Sequence, residues 1–309
     1  MRDVLVIGSA NIDVSVTTQA LPRAGETVAG TGSLISVGGK GANQAVAAAL
    51  CGAPTAFAGC VGSDAFGAMV QAELTRHGVS LEALRSVAEA GTGLATICVD
   101  ASGQNCIVVV PGANASLQVA DVDALQPRIT AAGVLVLQCE SPLPAVWRAI
   151  VLAQAAAIPV ILNPAPSRGL ALADLPHGIG YLVPNESEAR ELTGMPVGTI
   201  PEALACARHL HRSGAGCAII TLGAQGCVVA DELGARHFTA QPVTAIDTTG
   251  AGDAFVGCLA GSLATGCERD PAIRRALTYA SLSTQRRGAM VSYPSRTEFD
   301  VACDRFLRP

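Results

Sequence analysis

The sequence predicts an α/β fold in which a mainly parallel sheet lies between helical layers and carries a small antiparallel lid. Three observations lead there. Short apolar runs alternate with amphipathic stretches along most of the chain; two segments break that alternation with strand-like patterning; and half of the 309 residues are hydrophobic, with no low-complexity linker or internal repeat to divide them. A single domain over 1–309 is expected, with lid strands inserted at about 13–37 and 93–109.

The apolar runs are VLVIG (4–8), TAFAGC (55–60), GVLVLQC (133–139), IPVILN (158–163), GYLVP (180–184) and CAIITLG (217–223). Each is too short for a buried helix and nearly continuous in its apolarity, as expected of a parallel strand covered on both faces. Residues 64–76, 143–156, 186–194 and 200–213 supply the intervening helices. The lid material is ETVAGTGSLISVGG (26–39) and GLATICVDASGQNCIVVVPG (93–112), the second folded on the turn DASGQN.

Composition narrows the function. A formal charge of −5 gives no electrostatic argument for nucleic acid or an anionic membrane surface. The eleven cysteines are scattered without a CxxC pair and sit mostly in apolar runs, which predicts reduced core thiols and a cytoplasmic protein. The N-terminus lacks a signal-peptide pattern, and no apolar run is long enough to span a bilayer. Lys40 is the single lysine among many arginines, which suggests that a compact ammonium is wanted at that position, chance survival being the alternative.

Asn11, Glu140, Asn163, Asn185 and the pair Thr221 and Gly223 all follow predicted strands. In an open parallel sheet those carboxyl ends share one edge, where ligands bind. The stretch DTTGAGDAF (247–255) adds an anion site: Gly250, Ala251 and Gly252 let backbone amides approach a ligand at the start of a buried helix running from about 253 to 263. Asp253, beside that site, is suited to take a proton from an attacking alcohol. GGKGANQAVAAA (38–49) is neither a P-loop nor a dinucleotide fingerprint. Its glycine turn and the donors Lys40 and Asn43 suit a ligand rich in hydroxyls. In isolation each of these residues is equally a helix cap or turn residue.

D-T-x-G-A-G-D-x-F resembles the C-terminal signature of the ribokinase and phosphofructokinase-B type of carbohydrate kinase, and GGKGANQAVAA resembles the sugar-binding signature of ribokinases. GSANID (8–13), PGANA (111–115), ESP (140–142), NPAP (163–166), PNESE (184–188) and TLGAQG (221–226) resemble further blocks in the same order, from about residue 4 to 297. The resemblance implies a ribokinase-like three-layer sandwich and ATP-dependent transfer of a phosphoryl group to the 5-hydroxyl of D-ribose. A related kinase for 2-deoxyribose, another sugar or a nucleoside is the alternative, and an inactive sugar sensor on the same fold is the reading from a different class.

By this resemblance Asn11, Asp13, Gly39, Lys40, Asn43 and Glu140 hold the sugar, Asp253 is the base, and the amides of Gly250, Ala251 and Gly252 receive the developing charge. Asn185, Thr221, Gly223, Gly226 and Gly252 serve the nucleotide. Glu188 organises its magnesium through water, within an NxxE element that is also a capping-box pattern. Asp247, Thr249, Ser283, Arg286, Gly288 and Ser292 match a potassium site, mostly by backbone carbonyls. The segment RRGAMVSYP (286–294) departs from relatives there, lacking a proline before the matching serine. A homodimer formed through the lid is also implied.

Overall fold

Along β1 (Val4–Ile7) every residue is buried, and the side chains divide alternately between two cores. Val4 and Val6 join one apolar cluster, Leu5 and Ile7 the other. β8 (Val134–Gln138) and β11 (Cys217–Thr221) divide in the same way, so the sheet is a layer between two cores. The computed structural model of the protein, which describes residues 3–167 and 169–307, extends that layer to nine strands.

In chain order the other strands are β2 (Asn11–Thr18), β3 (Gly30–Gly38), β4 (Thr55–Gly62), β5 (Ser80–Val87), β6 (Gly93–Val99), β7 (Asn105–Val110), β9 (Val160–Asn163), β10 (Tyr181–Leu182), β12 (Cys227–Asp231) and β13 (Gly234–Phe238). The main sheet runs β13-β12-β11-β10-β9-β8-β1-β4-β5. It is parallel from β5 to β11, and β12 and β13 add an antiparallel edge. The helices are α1 (Lys40–Leu50), α2 (Ala65–Arg76), α3 (Val119–Ala124), α4 (Gln126–Ala131), α5 (Leu143–Ala155), α6 (Glu186–Thr193), α7 (Ile200–Arg212), α8 (Ala251–Ala264), α9 (Arg269–Ser283) and α10 (Arg296–Leu307). Buried residues of α1, α2, α8, α9 and α10 pack into one core, and those of α3 to α7 into the other. This is the three-layer arrangement expected.

α8 is buried from Asp253 to Ser262 and crosses α1 at close range. A methyl group built on Gly257 would lie 2.4 Å from the Gln44 carbonyl oxygen and 2.5 Å from Ala47 Cβ, so only glycine permits this approach.

The lid is a separate four-stranded sheet in the order β3-β2-β6-β7. β2–β3 and β6–β7 are antiparallel, as the patterning predicts. The wholly antiparallel expectation needs one correction, because β2 and β6 pair in parallel, Asn11 opposite Gly93 through Thr17 opposite Val99. Both strands leave the same rim of the main sheet in the same direction, and their hairpin partners lie outside them.

Candidate active site

Asp253 sits in the first turn of α8 and is 7 % exposed. Gly250 caps that helix in the left-handed conformation, with φ 75° and no capping side chain. A Cβ there would lie 2.8 Å from Ala289 Cα, so the turn requires glycine. The Ala251 amide is taken by the Thr248 carbonyl at 3.2 Å, and the Ala254 amide by Gly250 at 2.8 Å. Ala251 is therefore a small spacer here, and Gly252 and Asp253 hold the N–H groups at the uncapped helix end. A Cβ on Gly252 would meet nothing within 4 Å, although the residue lines a cavity. The glycine keeps that space open to a ligand.

This cavity, about 170 Å³, is lined by Lys40, Asn163, Asn185, Glu188, Thr221, Gly250, Gly252 and Asp253 together with Val183 and Val256. Residues from both ends of the chain thus meet at one rim. A larger cavity of about 350 Å³ beside Thr239, Gln241, Arg274, Phe306 and Leu307 contains none of the residues singled out from sequence.

The Asp253 carboxylate accepts from Asn43 Nδ2 at 3.0 Å and from Gln44 Nε2 at 2.9 Å. Beside it, Glu140 Oε2 accepts from the Lys40 amide at 3.1 Å and from the Ser9 hydroxyl at 2.5 Å, which fixes the α1 turn to the end of β8. Gly39 holds that turn with φ 91°, where a Cβ would lie 2.8 Å from Ala10 Cα. Asp13 lies at the root of β2, against the bare backbone of Gly38. Burial, followed by the charges of Glu140 and Asp253, pushes its carboxyl up to about 6. For the Lys40 ammonium burial is the larger single influence and acts downward. The combined field of Asp253, Glu140 and Glu188 outweighs it and holds the group above its ordinary value. One lysine thus balances several acids in a pocket lined with hydroxyl-binding groups.

Asn11 is oriented by Asn114, whose Nδ2 donates to Asn11 Oδ1 at 2.7 Å while its Oδ1 accepts from the Ala10 amide at 2.9 Å. The Asn11 amide nitrogen is the group left to donate to a ligand.

A family model described as pfkB family carbohydrate kinase matches residues 1–296. The chain belongs to the pfkB family of carbohydrate kinases. It is similar to a ribokinase of Haemophilus influenzae, 38% identical over 96% of this chain and 97% of the relative, and to a deoxyribokinase of Salmonella typhi, 36% identical over 96% and 97%. The structure of Arabidopsis thaliana ribokinase complexed with ribose and ATP superimposes with a TM-score of 0.91 at 32% identity, covering 97% of this chain and 98% of that one.

On this pfkB-family scaffold, Asn185 and Glu188 form a reciprocal capping box at the head of α6. The Glu188 amide donates to Asn185 Oδ1 at 2.9 Å, and the Asn185 amide to Glu188 Oε2 at 2.9 Å. Both also line the cavity, so the cap and the candidate nucleotide contact are the same structure. Burial raises the Glu188 carboxyl, opposed by the Asn185 amide and Lys40. Its second oxygen lies outside the box, which fits a magnesium ion held through water. Thr221 ends β11 and pairs with Asn185 in an isolated bridge. Gly223 and Gly226 turn the chain after it, and a Cβ on Gly226 would lie 2.0 Å from the Phe238 carbonyl oxygen.

Asp247 joins the two loops of the potassium expectation. Its carboxylate accepts from Thr249 N at 2.9 Å, Thr249 Oγ1 at 2.7 Å and Gly288 N at 2.8 Å. The hydroxyls of Ser283 and Ser292 donate to the carbonyls of Ala280 and Ala289, and the Arg286 side chain pairs with Glu298. Those side chains are thereby engaged elsewhere, so the potassium expectation falls on backbone carbonyls and not on these side chains.

Five residues of the site went unassigned in the sequence reading: Ser9, Gln44, Asn114, Gln138 and Tyr293. Tyr293 donates its hydroxyl to the Gly250 carbonyl at 3.1 Å, bracing the α8 cap from the RRGAMVSYP segment.

Proposed function

We propose that the chain transfers the γ-phosphoryl group of ATP to the 5-hydroxyl of D-ribose. The observation that carries this reading is the buried Asp253 carboxylate beside the uncapped amides of α8, in one cavity with Lys40, Asn185 and Glu188. Asp253 accepts the proton of the sugar hydroxyl, whose oxygen bonds to the γ-phosphorus as the bond to the bridging oxygen of ADP breaks. The Gly252 and Asp253 amides, on the helix dipole, receive the charge on the migrating group. Asn11, Asp13, Gly39, Lys40, Asn43 and Glu140 hold the sugar hydroxyls. Asn185, Thr221, Gly223 and Gly226 take the nucleotide, and Glu188 would hold magnesium, which would supply neutralisation of the phosphate charge, through water.

The lid excludes water from this chemistry, limiting ATP hydrolysis. Potassium fits the carbonyls around Asp247, where it would order the anion loop. A cytoplasmic setting accords with eleven free thiols. The chain is one catalytic domain with its lid inserted, and it forms a homodimer through the lid. Leu34 and Ile35 on β3 and the four residues 107–110 on β7, the two edge strands of the lid, are apolar and about half exposed, a surface that a second copy would cover.

A second reading, 2-deoxyribose as substrate, is favoured by the deoxyribokinase relative. The Asn11 donor held by Asn114 supports the more hydroxylated sugar. A coupled assay of ADP formation with ribose, deoxyribose, fructose and adenosine tests the proposal. Highest kcat/KM with ribose is expected, and turnover of adenosine alone would overturn it.

A further inference from the structure

We infer that Gln44 is a positioning residue for the reaction, the middle of a buried amide relay that fixes the Asp253 carboxylate. This deepens the proposed function and rests on Asp253 being the base. Gln44 is fully buried. Its Nε2 donates to Asp253 Oδ1 at 2.9 Å and to Asn163 Oδ1 at 3.2 Å, and its Oε1 accepts from Gln138 Nε2 at 2.6 Å. Asn163 Nδ2 donates in turn to the Val183 carbonyl at 2.9 Å.

The direction of this relay follows from its end. A backbone carbonyl can only accept, so the Asn163 amide nitrogen must face Val183 and its oxygen must face Gln44. Gln44 therefore turns its nitrogen toward Asn163 and Asp253, and Gln138 holds the other end. With Asn43 on Oδ2 and Gln44 on Oδ1, the carboxylate cannot rotate without breaking a charge-assisted bond. Asn43 belongs to the proposed sugar contacts, whereas Gln44 is sealed from the cavity and acts through Asp253. A base oriented by a third group is the general arrangement of activated alcohol chemistry.

The test is a cycle of Gln44→Met, Asp253→Asn and the double variant, read by kcat, ribose KM, calorimetric ribose affinity and Tm. Methionine keeps the volume and removes the donor. We expect Gln44→Met to lower kcat about 10- to 100-fold, with ribose affinity within about threefold of wild type. In the Asp253→Asn background the same change alters the residual rate less than about twofold, because the base it orients is gone. Unchanged kcat in Gln44→Met, or an equal loss in both backgrounds, overturns the inference. Unchanged kcat in Asp253→Asn alone would instead remove the base assignment beneath it. Should Gln44→Met fail to fold, Gln138→Met, which frees only the far end of the relay, is expected to lower kcat by about 3- to 10-fold with the same dependence on Asp253; its absence overturns the relay.

Discussion

Replacing Gly257 by alanine places a methyl group 2.4 Å from the Gln44 carbonyl oxygen, 2.5 Å from Ala47 Cβ and 3.0 Å from the Ala48 nitrogen. These are atoms of α1, mostly backbone, which cannot swing aside as a flexible side chain would. Restoring an ordinary contact of about 3.5 Å requires α1 and α8 to separate by about 1 Å. Overpacking of this kind costs about 1–3 kcal/mol, and for a chain of this length that lowers Tm by about 1.5–5 °C. The consequence for activity is larger. Asp253 rides one turn earlier on α8, and its bonds of 3.0 and 2.9 Å to Asn43 and Gln44 on α1 stretch past hydrogen-bonding range. Misplacement of a catalytic group by about 1 Å costs on the order of 100-fold in rate. Steady-state kcat by coupled ADP release, with Tm by calorimetry, reads both effects. A Gly257→Ala protein with wild-type kcat would refute the dependence of the site on the α1–α8 approach.

Two further outcomes follow from the pocket's charges. Asp13 titrates near 6 in the folded chain against 3.8 ordinarily, so its contribution to stability is full below about 4 and is lost as pH rises through 6. Asp13→Asn should therefore raise the Tm of the ligand-free protein above pH 6 and leave it unchanged below 4, while costing roughly 10- to 100-fold in sugar affinity at pH 7.5. The ribose KM of the wild type should correspondingly rise as pH falls through 6; a flat KM from 7.5 to 5 would contradict this. Glu188→Gln keeps the capping box, since glutamine at that position reaches the Asn185 amide equally. Because burial already opposes its charge, the change should not lower Tm, while kcat/KM for magnesium-ATP should fall roughly 10- to 100-fold; a loss of Tm with unchanged kcat/KM would reduce Glu188 to a cap.

The parts of the fold written in side-chain periodicity were legible. The apolar runs of β1, β8, β9 and β11 are buried, and the helices expected at 64–76, 143–156, 186–194 and 200–213 form within a residue or two of those limits. β12 and β13 were not anticipated, although CVVAD is as apolar as the parallel strands. Their antiparallel return follows only the five residues 222–226 after β11, too short for a crossover helix, and that spacing was the available signal. The parallel seam of the lid was invisible for another reason: it joins β2 and β6, which lie some 80 residues apart, and local alternation says nothing of such pairing.

The site divides along the same line. Glycines with left-handed backbones and charged residues at helix starts stand out in sequence, and Lys40, Gly250 and Asp253 line one cavity, with Gly39 holding the turn before Lys40. Gln44, Asn114 and Gln138 are neutral amides whose partners lie about 100 or more residues away, apart from the Pro111 carbonyl that Asn114 also reaches. For Gln44 and Gln138 the only local mark is a polar group at a position whose helical or strand neighbours are buried; Asn114, in a short turn with partly exposed neighbours, lacks even that. The capping box at Asn185 and Glu188 resolves an ambiguity: cap and nucleotide contact are compatible, because a box consumes only one carboxylate oxygen.

In the proposed function Asp253 takes the proton of the sugar hydroxyl. General-base catalysis contributes about 10²- to 10⁴-fold, or roughly 3–5.5 kcal/mol of barrier, so the most direct measurement is kcat of Asp253→Asn alongside calorimetric ribose affinity. A loss of at least about 100-fold in kcat with affinity largely retained is expected; wild-type turnover by this variant would remove Asp253 from the role of base.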